Sequence, residues 1–562
     1  MFKKNGKNTI NPDEIFADAQ NIPGFDKYQF EGRLEKPITK STFVGLGICF
    51  FILGGLLFGK TFYLQVVKGQ AYALKSEHNY LRAINIFPAR GIIYDRNGKE
   101  LAWNDLSEEE GSLKPARSYI NMPGLSHVLG YVGVPLNGPS ENIVGKDGVE
   151  KKYDNILAGT RGVKIVETNS KNEIVSESII SPPENGKSIK LTIDADLESA
   201  LYKILENIIV ARGFNGGAGV VLDVNSGQVL ALASWPEYNS QVLSRGEPEN
   251  TIKEYIENSQ RPFLNRAISG LYAPGSIVKP IIALAALNEK IISPDKQILS
   301  TGSISLPNPF FPDKKNIFYD WRPNGWVDMR RALAVSCNIY FYTVGGGYED
   351  IKGLGINKIN EYAKLFGFGA KTNIDLDKEQ EGLIPSPDLK ALTNPKDPIW
   401  RIGDTYNASI GQGDFQITPL QAAVYVAAIA NNGKLLQPYL AISDSESERN
   451  NKIRGLKMID IPAEYFQIIK EGMRLAVTEG TAQGLNGLGV NVAAKTGTAE
   501  LETEANKFVN SWLIAFLPYE NPKIALSIVL EKGKASNLIG GVYAGRQLLE
   551  WMLIHTPQYL SY

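Results

Sequence analysis

The sequence predicts an α+β protein in three parts: one membrane-crossing helix, an elongated β-rich segment, and a region built on a central antiparallel sheet with helices on its faces. Three observations carry this. An apolar run, STFVGLGICFFILGGLLFGKTFYLQVV, occupies 41–67. Alternating apolar stretches joined by turn residues occur twice, far apart in the chain, at 217–236 and 511–531. Between those two the periodicity is mostly helical.

The N-terminal run is uncharged from Ser41 to Gly59 and resumes beyond Lys60 from Thr61 to Val67. About 20 residues at ~1.5 Å rise cross a hydrocarbon core of roughly 30 Å, and a lysine near the end of such a helix can snorkel. The run is preceded by 40 residues, exceeds a signal-peptide core and offers no small-x-small cleavage site. It therefore reads as an uncleaved anchor over 42–66 behind a tail, 1–41. Lys27, Arg33, Lys36 and Lys40 before it barely outnumber Lys68, Lys75 and Arg82 after it, so charge orients it weakly. No other stretch reaches 18 apolar residues, AAVYVAAIA at 422–430 being half that, which puts everything after Val67 on one side.

Residues 67–187 are polar and turn-rich. PARGIIYDRNGKELAWN (88–104), SHVLGYVG (126–133) and GKDGVEKKYDNILAGTRG (145–162) read as short strands and turns of a spacer or docking module. A second region, 188–562, opens where KSIKLTIDADLESALYKILENII passes from strand alternation to a helical period. GAGVVLDVNSGQVLALASWP is a hairpin turning at Asn225, Ser226 and Gly227, and SWLIAFLP with KIALSIVLE is another, turning at Glu520, Asn521 and Pro522. Among the helices between them, one is marked at both ends. Thr418, Pro419 and Gln421 supply an N-cap, a first-turn proline and a capping-box glutamine, and Asn432-Gly433 closes it. Strands at both ends of this region imply a sheet closed by distant segments.

Composition excludes several kinds of chemistry. The 562 residues are 43% hydrophobic, as in a globular chain, and the formal net charge of -1 comes without a long single-sign run, so no nucleic-acid footprint exists. Three histidines and two cysteines assemble no zinc-ligand cluster, and Cys49 in the span cannot pair with Cys337 beyond it. No histidine lies between His127 and His555, so a serine nucleophile in the centre of the chain takes lysine, not histidine, as its base.

YAPGSIVKPIIALAALNEK at 272–290 holds a candidate pair. Ser-x-x-Lys alone is weak, since it recurs at Ser293–Lys296, where Pro294 and Asp295 make a plain turn. Around the first copy, Pro280 is tolerated only near a helix's first turn, so the helix starts close to Ser276 and places Ser276 and Lys279 on one face. Backbone N–H groups at that start could stabilise an oxyanion, though an ordinary polar helix start gives the same pattern. Ser336 and Asn338 interrupt an apolar helix-like run, RALAVSCNIYFY, where polar groups need partners or a task. Ser140-Glu141-Asn142 and Ser170-Lys171-Asn172 repeat that pattern within the spacer. VAAKTGTAE at 492–500 contains the chain's one Lys-Thr-Gly, before the last hairpin, where glycine lets another backbone approach a strand.

Ser276-x-x-Lys279, Ser336-x-Asn338 and Lys495-Thr496-Gly497 together resemble the motif set of penicillin-binding proteins and serine β-lactamases. Arg90-Gly91 with Asp95-Arg96-Asn97-Gly98, His127 with Gly130-Tyr131, and Gly148-Val149-Glu150 with Tyr153 are similar to pedestal motifs of the class B, monofunctional members. GDTYNASIGQGDFQITPLQ at 403–421 resembles the elongation-type subfamily, penicillin-binding protein 2, and the likeness runs from residue 41 to the end. It implies a β-lactamase/D,D-peptidase-like transpeptidase domain with a helical subdomain over 188–562, on a dimerisation or pedestal domain over 67–187.

The resemblance also implies a reaction. Ser276 attacks the penultimate D-Ala carbonyl of a peptidoglycan stem peptide, terminal D-Ala leaves, and an amine on a neighbouring stem resolves the acyl-enzyme. Lys279 acts as base once burial beside Lys495 lowers its pKa, Ser336 relays a proton, and Asn338 orients Lys279 and the substrate amide. Lys495, Thr496 and Thr498 suit the substrate carboxylate, the N–H groups of Ser276 and Thr498 the oxyanion, and Gly497 the approach of an extended peptide. No cofactor is expected. The implied partners are stem peptides ending in D-Ala-D-Ala, β-lactam antibiotics, a SEDS-type membrane glycosyltransferase and elongation-complex proteins. The implied location is the cytoplasmic membrane, single-pass, with the catalytic domain outside. A division-type transpeptidase, a penicillin sensor or β-lactamase, and a non-enzymatic scaffold are the alternatives. Two departures stand out: only 22 residues separate Asn104 from His127, shortening the head, and Asn510-Ser511-Trp512 replaces a pattern with a histidine.

Overall fold

The computed structural model describes residues 39–73, 81–105, 116–134, 143–168, 174–308, 311, 313–442, 455–502, 507–537 and 540–560. The predicted tail as far as residue 38, the head loop 106–115, and the patterns at Ser140 and Ser170 lie outside them. The chain divides into two compact units, 1–83 with 165–177 and 84–164 with 178–562. In the first, helix α1 spans Lys40–Phe62 and continues through a π-helical turn, Tyr63–Val67. These 28 residues are long and apolar enough to cross a membrane. Phe50, Phe51, Leu56 and Phe58 are exposed on its surface.

The second unit begins with short strands: β1 (Ile93–Tyr94), β2 (Glu100–Asp105), β3 (Ala116–Tyr119) and β4 (Ile189–Leu191). Helix α2 (Ala195–Arg212) follows. The Asp194 carboxylate accepts from the N–H groups of Asp196 and Leu197 at its start, and Gly213, at φ 67°, ends it. Strands β5 (Gly216–Asp223) and β6 (Val229–Trp235) form the first predicted hairpin. Helix α3 (Lys279–Asn288) grows out of a 3-10 turn, Gly275–Val278, with Pro280 in its first turn. Then come α4 (Met329–Ala334), α5 (Asn338–Gly346) and α6 (Pro419–Ala430). Both halves of the predicted capping box of α6 are present: Gln421 N–H donates to Thr418 Oγ1 and Thr418 N–H to Gln421 Oε1. A two-residue strand β7 (Ala441–Ile442), helix α7 (Ala463–Thr478), strands β8 (Ala493–Glu502), β9 (Lys507–Leu517) and β10 (Ile524–Lys534), and helix α8 (Gly541–His555) complete it.

Strands β5 and β6 join the last three in one antiparallel sheet of order β6-β5-β10-β9-β8. The closure by distant segments is the β5–β10 ladder, from Gly216 opposite Glu531 to Asp223 opposite Ile524. Side chains alternate across this sheet, so each strand feeds two cores. Val220, Ile514 and Val529 face one core with α3, α5 and α6. Val221, Leu513 and Leu526 face the other with α2 and α8. Arg266 is fully buried and clamps the region, its Nε 2.8 Å from Glu531 Oε2 on β10.

Sequence and structure differ in two places. The N-terminal five-stranded sheet has the order β7-β4-β1-β2-β3, so Ala441 and Ile442 pair with β4 and draw a segment of the C-terminal region into it. A two-residue strand carries no periodicity to read. The apolar run at 331–342 is not one helix: α4 ends at Ala334, α5 starts at Asn338, and Ser336 lies between them at φ +56°. Apolar residues on both sides of that break serve two buried helices, which hides it from a pattern reading.

Candidate active site

The 3-10 turn before α3 presents Ser276, half-buried, one turn ahead of Lys279. Tyr425 on α6 holds this turn from behind, its hydroxyl donating to the Ile277 carbonyl. From the sheet side, Trp512 Nε1 donates to the Ala273 carbonyl at 3.0 Å. Gly275 has φ +55°, and a Cβ there would stand 2.7 Å from the Thr498 carbonyl oxygen. A Cβ on Gly497 would meet the Pro274 carbonyl oxygen at 2.9 Å. The two glycines let the Ser276 turn rest directly on strand β8, an edge strand of the sheet.

Lys279, Ser336, Asn338 and Lys495 meet in one hydrogen-bonded cluster. Lys279 Nζ donates to Asn338 Oδ1 and to the Ser336 carbonyl, both at 2.7 Å, and stands 3.4 Å from Ser336 Oγ. Lys495 Nζ donates to Ser336 Oγ at 2.8 Å and to the Thr496 carbonyl at 2.9 Å. Both lysines are fully buried, at 0% exposure. Burial lowers the Lys279 pKa to about 8, against a smaller upward pull from Cys337 and Asp320. Lys495 is pushed well below its usual value, by burial first and by the Lys279 charge second. The two carbonyl-type acceptors on Lys279 match the two N–H donors of a neutral amine, whose lone pair then remains for a proton.

Along β8 the side chains alternate. Lys495 and Gly497 lie on one face and are buried, while Thr496, half-buried, and Thr498, exposed, lie on the other. Thr496 Oγ1 lies 2.6 Å from Thr481 Oγ1, a residue the sequence reading did not single out. Ser293, in the decoy pattern, lies in a turn closed by the Lys296 N–H to Ser293 carbonyl bond, as expected.

Asp320 is the second residue missed. Its carboxylate accepts from Asn338 N–H at 3.0 Å and Ile339 N–H at 3.3 Å, from Cys337 Sγ and Ser300 Oγ at 3.0 Å, and from Asn324 Nδ2 at 3.2 Å. It thus sits at the N-terminus of α5, where unpaired N–H groups and the helix dipole favour negative charge. Ser336, just before these N–H groups, has a left-handed backbone, a conformation that costs a non-glycine residue about 1–2 kcal/mol. Burial beside this carboxylate raises the Cys337 thiol to about 12, so Cys337 is inert.

A serine at a helix start, two buried lysines of depressed pKa, a bridging serine and an open strand edge are the arrangement of a serine acyl-transfer enzyme. Residues 217–548 match the penicillin binding protein transpeptidase domain, and residues 110–191 the penicillin-binding protein dimerisation domain. The chain belongs to the penicillin-binding protein transpeptidase family. It is 29% identical to the peptidoglycan D,D-transpeptidase MrdA of Haemophilus influenzae, over 94% of this chain and 93% of that one. Its fold matches penicillin-binding protein 2 of Helicobacter pylori, solved in complex with MreC, with a TM-score of 0.70 and 28% identity over 84% of this chain and 99% of that one. A chain from a peptidoglycan synthase complex, described as coordinating polymerization and crosslinking, matches with a TM-score of 0.69 and 26% identity, over 91% and 98%.

Proposed function

We propose that the cluster around Ser276 performs the acyl transfer of a peptidoglycan D,D-transpeptidase that serves cell elongation and is acylated by β-lactams. The carrying observation is the buried bridge Lys279–Ser336–Lys495 beside the half-buried Ser276. Ser276 Oγ attacks the carbonyl of the penultimate D-Ala, and its proton passes to Lys279 Nζ. As the C–N bond breaks, the proton reaches the departing D-Ala amine, with Ser336 Oγ as relay. An acceptor-stem amine then forms the new amide and Ser276 recovers a proton, so the bond energy is conserved and no ATP is consumed. Lys495 and the hydroxyls of Thr496 and Thr498 receive the substrate carboxylate. The N–H groups of Ser276 and Thr498 receive the oxyanion, and Asn338 orients Lys279 and the substrate amide. Gly497 leaves room for the stem peptide to add along the β8 edge.

Residues 67–187 form the pedestal and 188–562 the transpeptidase domain, with α1 as a single anchor that holds the catalytic part outside the cytoplasmic membrane. A SEDS-type glycosyltransferase and elongation-complex proteins are the assembly partners, and the likeness to a synthase-complex chain and to a MreC-bound chain supports that choice. The test is labelling with a fluorescent penicillin. Label should be lost in Ser276→Ala and kept in Ser293→Ala; label that persists in the first would move the nucleophile elsewhere.

A further inference from the structure

Strand β8 continues past Thr498, and Glu500 shares the face of Thr496 and Thr498 on this edge strand. Thr496 is half-buried, whereas Thr498 and Glu500 are exposed. Glu500 is still within the ladder, opposite Val509 of β9, so the sheet and not a loop sets its position. Among the described residues its carboxylate has no ion pair and no hydrogen bond. The Tyr342 hydroxyl on α5 is held above its usual pKa by burial first, then by Asp320 and by Glu500. The Glu500 charge is therefore within electrostatic reach of the helix that begins at Asn338.

In the proposed acyl transfer the substrate carboxylate lies at Lys495 and Thr496, and the scissile carbonyl, one residue back, at the N–H groups of Ser276 and Thr498. The donor chain then runs antiparallel to β8, and its next residue back lies beyond Thr498, toward Glu500. Thr498 and Glu500 are two strand residues, roughly 6.8 Å, apart, a gap that a long side chain spans. The acceptor stem attacks through an amine, and donor and acceptor are stems of one polymer, so the donor carries that amine as well. Both D-Ala side chains are methyl groups, which puts the amine on an earlier residue. We propose that Glu500 selects donor stems whose own amine is free, by pairing with its ammonium, an inference that rests on the D,D-transpeptidase reading. A stem already cross-linked through that amine presents an uncharged amide there and loses the contact. Glu500 is thus a specificity-determining residue, away from the reacting atoms.

Two peptides test this: Nα-acetyl-lysyl-D-Ala-D-Ala, with a free ε-amine, and the same peptide with that amine acetylated. Full-length protein in detergent is labelled with a fluorescent penicillin in the presence of each, and the concentration that halves the labelling rate is read. The free-amine peptide should protect at a concentration about 2- to 5-fold lower, the range of an exposed ion pair. That gap should close as salt is raised from ~50 mM to ~500 mM, which a steric effect of the acetyl group would not do. Glu500→Gln should bring the two peptides to parity, and Glu500→Lys should favour the acetylated one. Equal protection, no protection by either peptide, a preference kept in Glu500→Gln, or one that salt leaves unchanged would overturn the inference. Labelling that persists in Ser276→Ala would instead overturn the transpeptidase reading beneath it.

Discussion

If Lys279 is the base, as proposed, its protonation sets when Ser276 can react. Its pKa of about 8 lies below the usual lysine value because burial penalises the ammonium form, so the neutral base grows as pH rises through 8. The rate of acylation by a chromogenic β-lactam should therefore climb through about pH 8 and level off above it; a flat profile from pH 6 to 9 would remove Lys279 from the base's role. Linkage has the same sign. Between about 8 and the unfolded lysine value of 10.5 the unfolded chain binds more protons, so this group's destabilising contribution, full below pH 8, fades as pH rises. Asp320 acts one step further out. Asp320→Asn keeps the shape but removes the charge that holds two N–H groups of α5 and a thiol, bonds worth about 1.5–3 kcal/mol each when charged. Acylation should slow at least 10-fold, and because the Asp320 charge pulls the Lys279 pKa upward, its loss should move the pH midpoint below about 8. Ser276, Lys279, Ser336, Asn338 and Lys495 were readable as types and spacings. Asp320 and Thr481 were not, because their work depends on partners 17 residues away on one side and 15 on the other.

At the scale of elements, the contact between the Ser276 turn and β8 is the most exacting. Gly497→Ala sets a Cβ 2.9 Å from both Ile277 Cγ2 and the Pro274 carbonyl oxygen. The isoleucine can shift but the backbone oxygen cannot do so cheaply, so turn and strand must separate. Labelling should fall at least 10-fold with Tm lowered by several degrees, and an unchanged rate in this variant would show that the close approach is not needed. Both hairpins, α2, the start of α3 and the ends of α6 were legible, because each announces itself locally through caps, proline or turn residues. The break at Ser336 was not. It is made by tertiary demand, with a carboxylate from a distant loop anchoring the start of α5, and an apolar run cannot reveal where a helix is interrupted.

For the whole molecule, contacts group 84–164 with 178–562 in one unit. Within it β4 at 189–191 sits between β7 and β1, a ladder between distant segments that no local signal could reveal. Function at this scale is a matter of which wall-building event uses the enzyme. Depletion in cells should give rounding, as loss of elongation demands, and filaments instead would assign the chain to division.

The five-stranded sheet that includes Ala441 and Ile442 has a mechanical meaning. Ala441 follows α6 by a short connection, and α6 carries the Tyr425 hydroxyl that grips the Ile277 carbonyl beside Ser276. Ten residues of chain join the end of α6 to that sheet, and one hydrogen bond joins α6 to the turn that carries Ser276, so the N-terminal sheet and the candidate site share a single helix as their common support.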